Sequence, residues 1–386
     1  MNPPLIPPSL VFDTIARQVG GRQKGVAVTS SLPAIPVVDV RDGGPLRQAR
    51  EGHVRARALR DDCLGWFPAP ARPLVRVGDF VARRWLERSQ SPYVDEVRAI
   101  AAALGFPGIW FLNGSYQWSC TSCAREQDGV PWLARTLDWP FPGLGRHMEI
   151  ARMQGQVGEF FNVTWPGYVG VLTASAPGRF AACINQAPLR RRTHVTALRF
   201  YDLIANGIGT LIHSRAIPPD QLLRRVFETC AGYAEARRML EVTPIARPVI
   251  YTLAGIRPGE RCVIERTENG YATREHDTGA ANDWNQPSPE WEGRLGASKI
   301  LFSTFDEAAQ NSRGRRDALA AFPGEFAQAD FAWVAPPVLN PATRLAVEMC
   351  PARGTLRVVG YEVRSGNEMP VPATLVREVT AERLAA

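Results

Sequence analysis

With 386 residues, 45% of them apolar and 22% charged, the chain has the make-up of a globular protein with a sizeable core, one large domain or two ordinary ones. No stretch approaches 18 apolar residues, so no transmembrane helix is expected; the opening Met1-Asn2-Pro3-Pro4-Leu5-Ile6-Pro7-Pro8 lacks a basic n-region, so no signal peptide is expected and a cytoplasmic location is the default. The net charge of +7 does not point to nucleic acid, because the bases are dispersed and nearly all arginine, only Lys24 and Lys299 being lysine.

In chain order, residues 1 to about 50 are rich in Pro and Gly, weakly periodic, and read as a surface wrap. Asp79 to Arg88 carries a helical pattern. Tyr93 to Gly105 reads as an amphipathic helix, with acids in its first turn and Gly105 as its stop. The apolar segment Trp110 to Trp118 leads to Ser119-Cys120-Thr121-Ser122-Cys123. From there the texture is that of strands: a hairpin turning at Asp128-Gly129, with its second strand over Val130 to Trp139, then strands over 158–164, 167–174 and Arg179 to Asn185, with a turn at Pro177-Gly178. Helices are expected at about 196–214 and 219–241. Strands return at 248–255, 261–267, 270–276, 344–350 and 355–363. Helices, sheet, helices, sheet is the order of a layered α+β sandwich.

The seven cysteines are Cys63, Cys120, Cys123, Cys183, Cys230, Cys262 and Cys350, and reduced thiols are expected. Cys120 stands at the start of a strand, with Arg135 and Asp138 one hairpin later. Cut before Cys120, the chain would carry a thiol and a free α-amine on one residue. That amine, with an ordinary pKa of about 7.7–8.0, is a general base near working pH, so no catalytic histidine is needed. Arg135 would lower the thiol pKa and orient the thiolate, and Asp138 would hold the new ammonium. Cys120-Thr121-Ser122-Cys123 is also a C-x-x-C, but it opens no helix and has no second pair, which argues against redox or metal chemistry. No metal and no cofactor are expected.

Four groups of residues carry a family resemblance. They are Cys120-Thr121-Ser122 with Arg135 and Asp138; Gly167 to Thr173 with Pro177-Gly178-Arg179-Phe180 and Ile184-Asn185-Gln186; Pro248 to Tyr251 with Gly255, Pro258-Gly259-Glu260 and Val263 to Arg266; and Asn282-Asp283-Trp284 with Arg294. Pro337-Val338-Leu339-Asn340 and the two strands after it add to them. Together they resemble the acid ceramidase and N-acylethanolamine acid amidase family of N-terminal-nucleophile cysteine hydrolases, related to choloylglycine hydrolases and penicillin V acylases. The similarity runs from about Tyr93 to Glu362.

The resemblance implies an αββα fold and self-cleavage of the Ser119–Cys120 bond, giving a helical fragment 1–119 packed on a catalytic fragment 120–386. It implies an amidohydrolase acting through an acyl-thioester on an N-acyl, fatty-acyl amide, with Asn185 and Asn282 as oxyanion donors and Arg294 in support. Trp139, Phe141, Trp165 and Tyr168 would line an acyl tunnel. A choloylglycine hydrolase or penicillin V acylase type of activity, acyl transfer, and a non-catalytic binding protein on the same fold are the other readings. Peripheral contact with lipid is open to Ile109-Trp110-Phe111-Leu112. Two departures stand out: Arg135 and Asp138 follow Cys120 by fifteen and eighteen residues, one fewer than in the relatives, and Gln186 stands where the ceramidase-like branch has Glu. The arginine run Arg190-Arg191-Arg192 reads first as a solvated loop; its place just after a candidate site strand leaves anchoring of an acidic substrate group or lipid head group as the alternative.

Overall fold

The computed structural model describes residues 32–115, 119–193, 195, 198–276, 278–294, 304–364 and 368–380. Met1–Pro8, Lys24, Trp118 and Lys299 lie outside the described residues. Every described helix and strand belongs to the unit Pro33–Ala386.

The part before Cys120 contains β1 (Val37–Asp39), α1 (Gly44–Glu51), α2 (His53–Gly65), a 3-10 turn over Ala69–Leu74, α3 (Val75–Leu86), α4 (Val94–Leu104) and α5 (Ile109–Gly114). The expected surface wrap therefore contributes a strand and a helix from its last fifteen residues. In α4 the buried Val97, Ile100 and Leu104 recur at helical spacing, and Gly105 ends the helix at φ 67°.

Then come β2 (Ser119–Gln127), β3 (Val130–Asp138), β4 (Glu149–Gly155), β5 (Gly158–Thr164), β6 (Thr173–Ala176), β7 (Phe180–Gln186) and β8 (Leu189–Arg190). Asp128 and Gly129 both take positive φ, 49° and 73°, the backbone that a two-residue hairpin turn requires. The expected strand 167–174 is largely a buried loop; only its end enters β6. Three helices follow, α6 (Arg199–His213), α7 (Pro219–Thr229) and α8 (Tyr233–Val242). The single helix expected over 219–241 is two, because Cys230 and Gly232 are extended and break it. After them come β9 (Val249–Ala254), β10 (Arg261–Arg266), β11 (Tyr271–Arg274), β12 (Gly279–Ala280), β13 (Trp291–Glu292), α9 (Phe305–Ala320), β14 (Thr343–Cys350), β15 (Thr355–Glu362), β16 (Val371–Pro372) and β17 (Arg377–Thr380).

An eight-stranded sheet has the order β1-β4-β5-β6-β7-β9-β10-β11. A second sheet runs β12-β2-β3-β14-β15-β16, with β17 also on β15. β2 and β3 face β7 and β9 across the interior, α7 and α8 cover the outside of the eight-stranded sheet, and α9 covers β2 and β12 on the other side. This is the α+β sandwich in four layers, αββα. The main core lies between the sheets and under α7, and takes in Leu133, Leu137, Ile184, Tyr251 and Phe227. A second core, with Trp132, Ala134, Leu319 and Phe326, lies between β3 and the α9 side. Since strand side chains alternate, the buried residues of β2 and β3 face one core or the other in turn.

Candidate active site

Cys120 is the second residue of β2 and is fully buried. The hairpin register pairs Cys120 with Leu137, Ser122 with Arg135 and Ser119 with Asp138. Residues directly opposite share a face, so Cys120 and Arg135 lie diagonally on the inner face. Arg135 Nη2 donates to Cys120 Sγ at 2.8 Å and to the Ile184 carbonyl at 3.1 Å, while Nη1 donates to Thr173 Oγ1. A fully buried guanidinium is thus clamped by β6 and β7 and aimed at the sulfur. Cys123, three residues on, points to the outer core. An odd separation on a strand places the two thiols of the C-x-x-C on opposite faces, which removes it as a redox pair.

Asp138 lies on the outer face, across from Ser119, so the two expected partners of the nucleophile flank the Ser119–Cys120 bond from opposite sides. Asp138 Oδ1 accepts from Thr343 Oγ1 at 2.9 Å, and Oδ2 lies 3.5 Å from Arg315 Nη1. Burial pushes its carboxyl pKa up, opposed first by the Arg315 charge.

Arg315, on α9, had no place in the sequence-based expectations. It is fully buried, and its Nη1 donates at 2.8 Å to both the Cys120 carbonyl and Thr121 Oγ1. Nη2 donates to Asn282 Oδ1 and to the Arg294 carbonyl, both at 3.1 Å. Asn282 Oδ1 in turn accepts the Cys120 backbone N–H at 2.7 Å, and its Nδ2 donates to the Gln186 carbonyl at 2.8 Å. Two donors on one side and a carbonyl on the other fix which way this amide points. Asn282 therefore presents its oxygen to the nitrogen of the nucleophile, where an oxyanion donor had been expected.

The other assignments divide. Asn185 Nδ2 is bonded to Ser122 Oγ at 3.0 Å and to the carbonyls of Ala280 and Ala281 at 3.2 Å, one pleat away from Cys120. Its amide is spent on holding β7 to β2 and on the turn after β12, which corrects the expected oxyanion contact in this state. Arg294 Nε donates to the Ala187 carbonyl at 2.8 Å, at the edge of a cleft, while its own carbonyl anchors Arg315. Trp165 and Tyr168 are core residues, a second correction: Trp165 Nε1 donates to the Leu144 carbonyl and Tyr168 Oη to Asp220 Oδ2.

Trp139 and Phe141 do line open space. They stand where a cleft of about 770 Å³ meets an apolar pocket of about 260 Å³. Ser115, Gln186, Ala187 and Arg294 bring the cleft to the residues around the nucleophile. The pocket is walled by Leu59, Cys63, Leu64, Phe67, Leu112 and Leu144, all but the last from the part of the chain before Cys120. The Cys120 thiol lines neither space in the uncut chain. Burial pushes it up to about 12, against the pull of Arg135, so it stays protonated at neutral pH although the arginine touches it. Among the described residues no three His, Cys, Asp or Glu side chains gather as a metal site, and no helix is long and apolar enough to cross a membrane.

No family model matches the chain. It is similar to the N-acylethanolamine-hydrolyzing acid amidase of Cavia porcellus, 26% identical over 62% of each chain. It is also similar to the acid ceramidase of Pan troglodytes, 31% identical over 51% of this chain and 53% of that one. Among solved structures it is similar to a Caenorhabditis elegans N-acylethanolamine-hydrolyzing acid amidase ortholog, at 19% identity and TM-score 0.43, over 60% of this chain and 93% of the other. The chain thus spans between half and two-thirds of the length of these two curated relatives. In sequence it is thus similar to acid ceramidases and N-acylethanolamine-hydrolyzing acid amidases.

Proposed function

We propose that the chain is a cysteine amidohydrolase that matures by cutting itself before Cys120 and then hydrolyses N-acyl amides with an aliphatic acyl group. In maturation Sγ adds to the Ser119 carbonyl carbon and the C–N bond to Cys120 breaks. The thiol proton ends on the departing nitrogen, which becomes the α-amine. Water then hydrolyses the Ser119 thioester, leaving fragments 1–119 and 120–386. In turnover the amine takes the thiol proton, the thiolate attacks the substrate carbonyl, and the protonated amine product leaves. Water attacks the resulting acyl-thioester and releases the acid.

The observation that carries this reading is the clamp on Cys120: sulfur on Arg135, backbone nitrogen on Asn282, backbone oxygen on Arg315. A purely structural cysteine calls for none of these. Asn282 Oδ1, which already accepts the Cys120 N–H, would hold the new α-amine, with Asp138 across from Ser119 in support. The adjoining apolar pocket suits an acyl chain. After the cut, loss of the Ser119 link opens the buried sulfur toward the cleft, and rehydration brings its pKa down.

Intact mass and turnover on N-acyl amides test it. The wild-type chain is expected as two fragments, the smaller ending at Ser119, and Cys120→Ala as one unbroken, inactive chain. Turnover unchanged in Cys120→Ala overturns the mechanism.

A further inference from the structure

The cleft that leads to the nucleophile is lined by Arg190, Arg192, Arg215, Arg247 and Arg294, against one carboxylate, Glu268. Arg190 and Arg192 come from the sequence's single tight arginine run; Arg191, between them, turns away and stacks on Phe305 with its guanidinium carbon 3.7 Å from the ring centroid. Arg190 is braced over Trp291 at 4.8 Å and reaches Glu268 at 3.4 Å. Arg192 and Arg215 are exposed, and among the described residues neither has an ion pair. Among the described residues, the only charged walls of the apolar pocket at the other end are Arg60 and Arg72. The space therefore has two arms that differ in charge density, joined at Trp139 and Phe141. One suits an aliphatic chain; the other is a concave surface with an excess of guanidinium groups, which focuses a positive potential.

Resting on the amidase reading, we infer that the amine half of the substrate carries an anionic group — a carboxylate, sulfonate or phosphate — that docks on Arg190, Arg192 and Arg215. The scissile amide then lies between an acyl chain in the apolar pocket and an acid in the arginine arm. The preferred substrate class is the N-acyl amino acid or its sulfonate or phosphate counterpart, rather than a neutral acyl alkanolamide.

The test uses the processed full chain with N-octanoylglycine, N-octanoyltaurine and the phosphate ester of N-octanoylethanolamine, each against N-octanoylethanolamine. All are kept monomeric and free of vesicles. At low ionic strength kcat/KM is expected to favour at least one anionic compound by about tenfold or more, mainly through KM, as a charge-assisted contact gives. The preference should shrink toward 0.5 M salt, roughly the range in which exposed charges are screened. In the double variant Arg192→Gln, Arg215→Gln the ratio should fall to about two or below. Both rates come from one sample, so any loss of folded protein cancels. A wild-type ratio near one, a preference for the ethanolamide, or a ratio unmoved in the double variant overturns the inference. So does a ratio near one together with sedimentation on phosphatidylglycerol vesicles that the double variant loses, which assigns the arginines to a lipid surface. Hydrolysis of none of the four defeats the amidase reading instead. Calorimetric binding of the glycine and ethanolamine compounds then decides the charge preference by itself, equal affinity overturning it.

Discussion

Arg315 binds the nucleophile's residue by its carbonyl, the neighbouring threonine by its hydroxyl, and the amide oxygen that holds the nucleophile's nitrogen. Burial lowers its pKa, opposed first by the charge of Asp138, so the carboxylate is what compensates this buried guanidinium. Removing one partner of such a buried pair leaves an uncompensated charge, at a cost of about 3–5 kcal/mol. Arg315→Met is therefore expected to unfold at markedly lower denaturant than wild type. Even where folded, it should cut itself far more slowly, because Asn282 is released from Cys120. Arg315→Lys keeps the charge but not the fork and should restore stability better than processing. Cutting at the wild-type rate in Arg315→Met, read by intact mass over time, would leave the residue a purely structural role. Cys120, Arg135 and Asp138 were legible because they share one hairpin, whose turn residues set the register. Arg315 was not, lying 195 residues from Cys120 among other arginines of its helix, where only packing decides which one turns inward. A signal was present nonetheless. Thr304 and Glu307 form a capping box, and Ala308, Ser312, Arg315 and Leu319 make one inward stripe at helical spacing.

At the scale of elements, the helices before Cys120 are tied to the sandwich by side chains as well as by the chain itself. Asn113 of α5 donates to the Gly167 carbonyl and accepts from the Val169 N–H, both at 2.8 Å. Glu149 of β4 takes Gln48 and Arg55, and Arg224 of α7 takes Glu96. Val169 and Ala246 complete the helical core around Trp85, Ile100 and Trp110. The fragments should consequently stay together after the cut and elute as one species on size exclusion. Asn113→Ala, which strands a buried N–H and a carbonyl, should weaken that association by about 1–3 kcal/mol. Separate elution of the wild-type fragments without denaturant would contradict this. Elements of this kind were read unevenly from the sequence. α4 and the β2–β3 hairpin carry their own stop and turn residues. The break between α7 and α8, the loop 167–172 and β4 do not announce themselves, since each is fixed by what packs against it. Gly170 shows why: a Cβ there would lie 2.1 Å from Asp220 Oδ2, so the residue that needs the glycine is fifty positions away.

Across the whole molecule, burial holds several carboxyls above their ordinary range, among them Asp138, Glu149, Glu265, Glu292 and Glu348. Asp220 moves from 3.8 to about 6, because desolvation outweighs the hydrogen bond from Tyr168. A group that grips its proton more tightly when folded contributes its full stability below the unfolded pKa, near 4, and loses it as pH rises through 6. For Asp220 alone this amounts to at most about 3 kcal/mol. Asp39, held down near 2 by Arg41, works in the opposite sense but is exposed and screened. The fold should then gain stability between pH 7.5 and 5, against the common trend in which paired carboxylates make acid destabilising. Thermal or denaturant midpoints of the Cys120→Ala chain, which stays uncut, read this without interference from processing. Asp220→Asn in that background keeps an acceptor for Tyr168 but cannot titrate, and should flatten much of the rise. A midpoint that falls steadily on acidification, or a rise that the asparagine leaves untouched, would mean that water or a neighbouring charge keeps Asp220 ionised inside the fold.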